Sequence, residues 1–199
     1  SIVSEKLQLA ARKEFNIDVK LLFVGRLEPE KGLFDLVNAV KLINETNPVS
    51  LSIVGEGGIG EELRAFVDEL NLSHCVKFEG YQAFGENLFE LYRSHDIMMI
   101  SSYSEGLPKI INEARAFAMP IVSTKVGGIA KELEEGETCL FVPPGNPELI
   151  AAVVVFLLHN PKVYQKLSQN LHDQFSSNSL EYWSGKFAEI LKNYASKNF

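Results

Sequence analysis

The chain has 199 residues, 46% hydrophobic and 23% charged, ordinary proportions for a soluble globular domain with a sizeable core. A formal charge of −7 excludes a nucleic-acid backbone as main partner, because such a surface needs a basic excess; any phosphate site must be local. No apolar run reaches the roughly 18–20 residues that span a bilayer, and the two cysteines, Cys75 and Cys139, lie in hydrophobic runs without metal-ligand spacing, which predicts reduced, buried thiols and a cytoplasmic compartment.

Residues 1–18 read as a linker and helix of mixed polarity rather than the start of a domain, and not as a signal peptide, so the chain is expected to be one lobe of something longer. From there, apolar runs that read as buried strands alternate with amphipathic stretches. The strand Lys20–Leu27 precedes a helix at Leu33–Asn44. The loop between them reads Gly25-Arg-Leu-Glu-Pro-Glu-Lys-Gly32. Arg26 and Lys31 bracket its turn, and the next helix points its N-terminus at the same space. Two cations beside unpaired helix N–H groups suit a diphosphate, although on this segment alone a solvated surface turn is an equal reading.

The strand Leu51–Gly55 and the helix Glu61–Leu70 flank Gly55-Glu-Gly-Gly-Ile-Gly60, a literal Gly-x-Gly-x-x-Gly, with Glu79 ending the next apolar run, Val76–Glu79. That is the outline of a dinucleotide fingerprint, with glycines for the turn and an acid for a ribose. A helix at Asn87–Ser94 leads to a strand at Asp96–Ser101, with Asp96 read as structural.

Next comes the loop Ser101-Ser-Tyr-Ser-Glu105-Gly106-Leu107-Pro108 and a helix at Lys109–Phe117. Pro108 suits the first helical turn, which leaves Glu105 in the loop and Glu113 inside the helix. At 1.5 Å rise per residue the two carboxylates stand on the order of 10 Å apart. This is too far for an acid/base pair on one bond and suits the two ends of an elongated ligand. Gly106 permits close backbone approach, and free N–H groups near Pro108 offer a phosphate seat.

The strand Pro120–Ser123, the helix Gly128–Glu134 and the strand Leu140–Val142 complete the alternation. After Pro143-Pro-Gly145 only helices are predicted, at Pro147–His159, Pro161–Phe175 and Leu180–Ala195. The fold class is α/β: a Rossmann-like, doubly wound parallel sheet of six strands, with C-terminal helices. Domain organisation is read as a nucleotide-binding domain over 19–179 and a last helix over 180–199. With strand order 3-2-1-4-5-6 the ligand crevice lies between the first and fourth strands. Gly55–Gly60 follow the second strand, one place away, so the chemistry belongs to Gly25–Gly32 and Ser101–Pro108.

The segment Glu105-Gly-Leu-Pro-Lys-Ile-Ile-Asn-Glu113 resembles the Glu, seven residues, Glu signature of retaining glycosyltransferases with the GT-B architecture, family-4 type. Val24-Gly-Arg-Leu-Glu-Pro-Glu-Lys-Gly32 is similar to that family's phosphate loop. Matches at Ile53–Gly57, Val76–Gly80, Met119–Gly128 and Leu140–Gly145 follow in the right order.

The resemblance implies a C-terminal, donor-binding domain that takes a nucleoside-diphosphate sugar, with no metal and no other cofactor. Its acceptor would be held by an N-terminal domain toward which the 180–199 helix packs. Arg26 and Lys31, with Gly25, would hold the diphosphate; Glu105 would bind the transferred sugar, beside the backbone of Gly106, Leu107 and Pro108. Glu113 would bind the ribose, and Gly80 and Tyr81 would lie at the base. Glu105, Arg26 and Lys31 would carry the catalysis. The resemblance further implies a cytoplasmic enzyme of cell-surface polysaccharide biosynthesis, leaving room for peripheral association of the full protein with the inner face of the membrane. A non-catalytic nucleotide-sugar-binding or interaction domain of the same fold is the alternative, and a nicotinamide enzyme comes third.

Two positions depart from the family pattern: Ala118 and Cys139 each stand where glycine is usual. The glycines at 55–60 are expected to pack the second strand against its following helix. His74, His95, His159 and His172 read as helix-end or exposed groups, and Ser101, Ser102 and Ser104 lack a histidine that would make a nucleophile. Phe34, Phe66, Phe89, Phe117 and Phe156 are read as core, and Trp183 as packing the last helix.

Overall fold

The computed structural model describes residues 19–106 and 108–175. The expectations for 1–18, for Leu107 and for 180–199, including Trp183 and the boundary of the domain at 179, lie outside the described residues.

Six strands, β1 (Val19–Val24), β2 (Val49–Val54), β3 (Val76–Gly80), β4 (Ile97–Ile100), β5 (Ile121–Thr124) and β6 (Cys139–Val142), form one sheet. Their order is β3-β2-β1-β4-β5-β6, and every neighbouring pair is parallel. The helices between them are α1 (Leu33–Asn44), α2 (Gly60–Glu69), α3 (Glu86–Ser94), α4 (Ile110–Ala116) and α5 (Ile129–Glu132). The chain then continues into α6 (Pro147–His159) and a further helix, α7, over residues 161–175. Pro147 fits at the start of α6 because its missing N–H would have no helical partner, and the Asn146 side chain caps the same turn by accepting from Leu149 N at 2.9 Å.

Strand alternation divides the core into two layers. Leu21 and Phe23 of β1 pack with Leu36, Val40, Leu63, Val154 and Leu157 from α1, α2 and α6. Leu22, one residue out of phase, joins Met98, Ile100, Tyr92, Ile111 and Ala114, so α3 and α4 cover the opposite face. Buried on both faces, β4 is a continuous apolar run, whereas β2 and β3 interleave Ser52, Lys77 and Glu79 with their apolar residues.

Asp96 does have a structural role. Its N–H donates to Lys20 O at 2.7 Å, while its carboxylate accepts from Lys20 N at 2.9 Å. This ties the start of β4 to β1 at the central pairing. Cys75 and Cys139 are both buried, and burial, then the charge of Glu135, pushes the Cys139 thiol up to about 12. One core expectation fails: Phe156 is 46% exposed, on the side of α6 turned away from Val154 and Leu157.

β1 ends earlier than its apolar run suggested. Gly25 and Leu27 still donate to Val54 O and Glu56 O at 2.9 and 3.0 Å, but the chain turns away from the ladder and Leu27 becomes a buried plug, 2% exposed.

Candidate functional site

The strand order reverses between β1 and β4, and the loops leaving those two strands meet there. Residues Pro29–Lys31 form a single 3-10 turn, closed by Gly32 in the left-handed region at φ 61. Lys31 O accepts from the Ser101 hydroxyl at 2.8 Å, and Glu30 O from Tyr103 N at 2.8 Å. The loop after β4 is also clamped from its far side. The Thr124 hydroxyl donates to Ser102 O at 2.7 Å, and Gly128 N donates to Gly106 O at 2.9 Å. At Gly127, φ 51, an added Cβ would stand 1.8 Å from Glu105 O, so only glycine lets the β5 loop lie this close.

Within that frame Lys31 and Glu105 come together. Lys31 Nζ lies 2.5 Å from Glu105 Oε1, with side chains 14% and 12% exposed. The Ser102 hydroxyl donates to the same oxygen at 2.9 Å. A carboxylate with two donors and little water around it has one fixed orientation. Beside it, a Cβ at Gly106 would meet nothing within 4 Å, which leaves that backbone face open. Tyr103 pins the loop's outer edge by donating from its hydroxyl to Asp35. That hydrogen bond, then partial burial, pushes the phenol up to about 12.

The remaining predicted residues are distributed around this pair. Arg26 points outward, 72% exposed, and pairs with Glu30 at 3.4 Å; it is not assembled with Lys31. Gly25, Arg26 and Tyr81 line a cleft of about 270 Å³ with Val54, Gly55, Glu56 and Gln82, at the carboxyl ends of β1, β2 and β3. Gly80 ends β3 just below it, and the Tyr81 ring is 70% exposed.

Glu113 lines a second cleft, of about 460 Å³, with Lys109, Asn112 and the aromatic rings of Phe84, Phe89, Phe117 and Phe175. It is half-buried on α4 and accepts from the hydroxyl of Tyr92 on α3. Pro108 precedes α4, which begins only at Ile110, one residue later than expected.

The glycine fingerprint has another use. Gly55 stands at φ 132, where an added Cβ would meet Gly25 O at 1.9 Å, and one on Gly57 would meet Leu27 O at 2.4 Å. The glycines let the loop after β2 lie directly on the loop after β1, which corrects the expected packing of strand on helix. Glu79 accepts from the Ser52 hydroxyl on the neighbouring strand at 3.2 Å. His74, His95 and His159 each turn Nδ1 to a nearby backbone carbonyl, and His172 lies half-buried in the last described turn of α7. Among the described residues no group of three or more His, Cys, Asp or Glu could hold a metal ion, and no helix is long and apolar enough to cross a membrane.

Two neighbours of the predicted residues escaped the sequence. Ser102 could have been suspected from its position three residues before Glu105. Tyr92 reaches Glu113 across 21 positions between two helices, and no local pattern announces such a contact.

The chain is thus a doubly wound parallel lobe with an acid-and-cation pair at its switch point. The chain belongs to the glycosyl transferases group 1 family, whose model matches residues 7–174. It is 34% identical over 131 residues to an uncharacterised glycosyltransferase of Methanocaldococcus jannaschii, an alignment that covers 66% of this chain and 33% of that protein.

Among solved structures, it superposes on the C-terminal domain of a group 1 glycosyl transferase from Francisella tularensis with a TM-score of 0.72. That match has 23% identity and covers 80% of this chain and 85% of the other. HepE of Anabaena, solved in complex with UDP-glucose, gives a TM-score of 0.76 at 23% identity, covering 96% of this chain and 52% of HepE. The fold is therefore that of one lobe of the GT-B architecture. The chain spans only 33% to 41% of the length of the curated relatives it matches.

Proposed function

We propose that this chain is the donor-binding lobe of a retaining glycosyltransferase that takes a nucleoside-diphosphate sugar. The observation that carries the reading is the Lys31–Glu105 pair, 2.5 Å apart at the strand-order reversal and held by loops bonded to each other. A fixed cation beside a fixed carboxylate suits the junction of a diphosphate and a sugar. Lys31 would neutralise the diphosphate, and Glu105 would receive sugar hydroxyls at the open backbone face of Gly106.

Arg26, on its exposed stem, would leave Glu30 and swing to the diphosphate. Gly25, Gly80 and Tyr81 would border the base in the first cleft, and Glu113 would take the ribose hydroxyls.

As the bond from the sugar's anomeric carbon to the leaving phosphate oxygen breaks, negative charge grows on the diphosphate. Lys31, Arg26 and helix N–H groups stabilise that charge best if already oriented, so the charge needs no metal partner. The acceptor would come from a second lobe. HepE having been solved with UDP-glucose supports a sugar nucleotide as the ligand class.

A thermal-shift screen of nucleoside diphosphates, their sugars, NAD and NADP tests the reading. Stabilisation by a sugar nucleotide is expected; stabilisation by NAD or NADP alone would overturn it.

A further inference from the structure

We propose that Tyr92 is the positioning residue for the ribose-binding carboxylate: its buried phenol holds Glu113 in one orientation before the nucleotide arrives. The inference rests on the ribose role given to Glu113 above. Tyr92 lies on the inward face of α3 with Leu88 and is 0% exposed. Its ring stacks on Phe117, the residue that ends α4, at 5.1 Å between centroids and 9° between planes. The stack fixes the ring, and the ring delivers its hydroxyl to Glu113 Oε2.

A buried phenol needs an acceptor, and a backbone carbonyl would serve a purely structural need. Here the acceptor is instead a half-buried carboxylate on the wall of the 460 Å³ cleft. An ionised carboxylate offers about four lone-pair sites, so one bond from Tyr92 leaves the others for a ligand. Glutamate is among the side chains that lose most rotamer freedom when fixed, and fixing it beforehand lowers what the ligand must order. Burial, then the hydrogen bond and charge of Glu113, raises the Tyr92 phenol far above its ordinary range, so it remains a donor at every working pH.

Tyr92→Phe keeps the ring and its stack and removes only the hydroxyl. Calorimetric titration with UDP and with 2′,3′-dideoxy-UDP separates positioning from packing. UDP should bind wild type about tenfold more tightly than the dideoxy analogue. In Tyr92→Phe, UDP should weaken roughly five- to tenfold while the dideoxy analogue is unchanged, and adding Glu113→Ala should cost nothing more. The unchanged analogue shows that the variant is folded. GDP and ADP with their dideoxy forms are titrated in the same way.

Equal weakening of both nucleotides, or of neither, would overturn the positioning role while leaving the donor reading intact. Wild type that ignores the ribose hydroxyls would remove Glu113's role and this inference with it. Failure to bind any nucleoside diphosphate would overturn the donor reading itself.

Discussion

Glu105 carries two donors, Lys31 and Ser102, and this changes what its removal should do. Glu105→Ala would release Lys31 from its ion pair, so UDP or GDP should bind as well as before or a few-fold more tightly. The extra affinity conferred by the attached sugar should fall by about 1–3 kcal/mol, the range for a hydrogen bond to a charged group. Glu113→Ala should instead weaken the nucleoside diphosphate itself, because the ribose is part of it. Titrations of both variants with UDP and UDP-sugar check this division, and identical losses for UDP would show it to be wrong. The placement of the two glutamates, one in a loop and the other in a short helix, was legible in the sequence. The hydrogen bonds that orient them were only partly so, because Ser102 is local and Tyr92 is long-range.

Among the elements, the end of α4 explains one departure from the family pattern. Ala118 N donates to Arg115 O at 3.0 Å and Met119 N to Ala114 O at 2.9 Å, the paired bonds of a Schellman cap, with Ala118 in the left-handed region at φ 50. Glycine is the usual choice there. The left-handed strain of alanine, ~1–2 kcal/mol, is offset by the buried methyl, ~0.8 kcal/mol, and by reduced freedom in the unfolded chain, ~0.4–1 kcal/mol. Alanine is thus tolerated. A β-branched side chain has no such balance, and Ala118→Val should lower stability by more than about 2 kcal/mol in urea unfolding. Wild-type stability in that variant would contradict the cap.

The clamp on the Glu105 loop makes a parallel test. Gly127→Ala should lower Tm by roughly 4–8 °C, the shift for about 2 kcal/mol in a domain of this size, because its Cβ would meet Glu105 O. Gly106→Ala, in open space, should leave Tm nearly unchanged and weaken only sugar-nucleotide binding. Strand count and most helices were legible because apolar strand segments alternate with amphipathic stretches, and the strand order followed from the doubly wound class that this alternation implies. The packing partner of Gly55 and Gly57 was not, because the same glycine spacing serves a phosphate or another loop, and only the fold distinguishes them.

For the whole molecule, the crevice between the loops after β1 and β4 presents one wall. Ligand sites commonly lie between domains, where most of the ligand surface is buried and water is excluded. The chain spans 33% of one relative's length and 41% of another's, and under the function proposed above a second wall would come from another lobe. Residues 1–199 should therefore bind a sugar nucleotide but transfer its sugar feebly, measured as nucleoside diphosphate released with any acceptor. Efficient transfer would overturn the two-lobe mechanism.

The central claim is that the crevice seats a diphosphate on Lys31 and Arg26. Its most direct test is calorimetric titration of wild type and Lys31→Ala with a nucleoside and with its diphosphate. The diphosphate should bind wild type much more tightly than the nucleoside, and Lys31→Ala should remove most of the difference, about 1.5–3 kcal/mol for a charge-assisted contact. Equal affinity of wild type for nucleoside and nucleoside diphosphate would contradict the assignment.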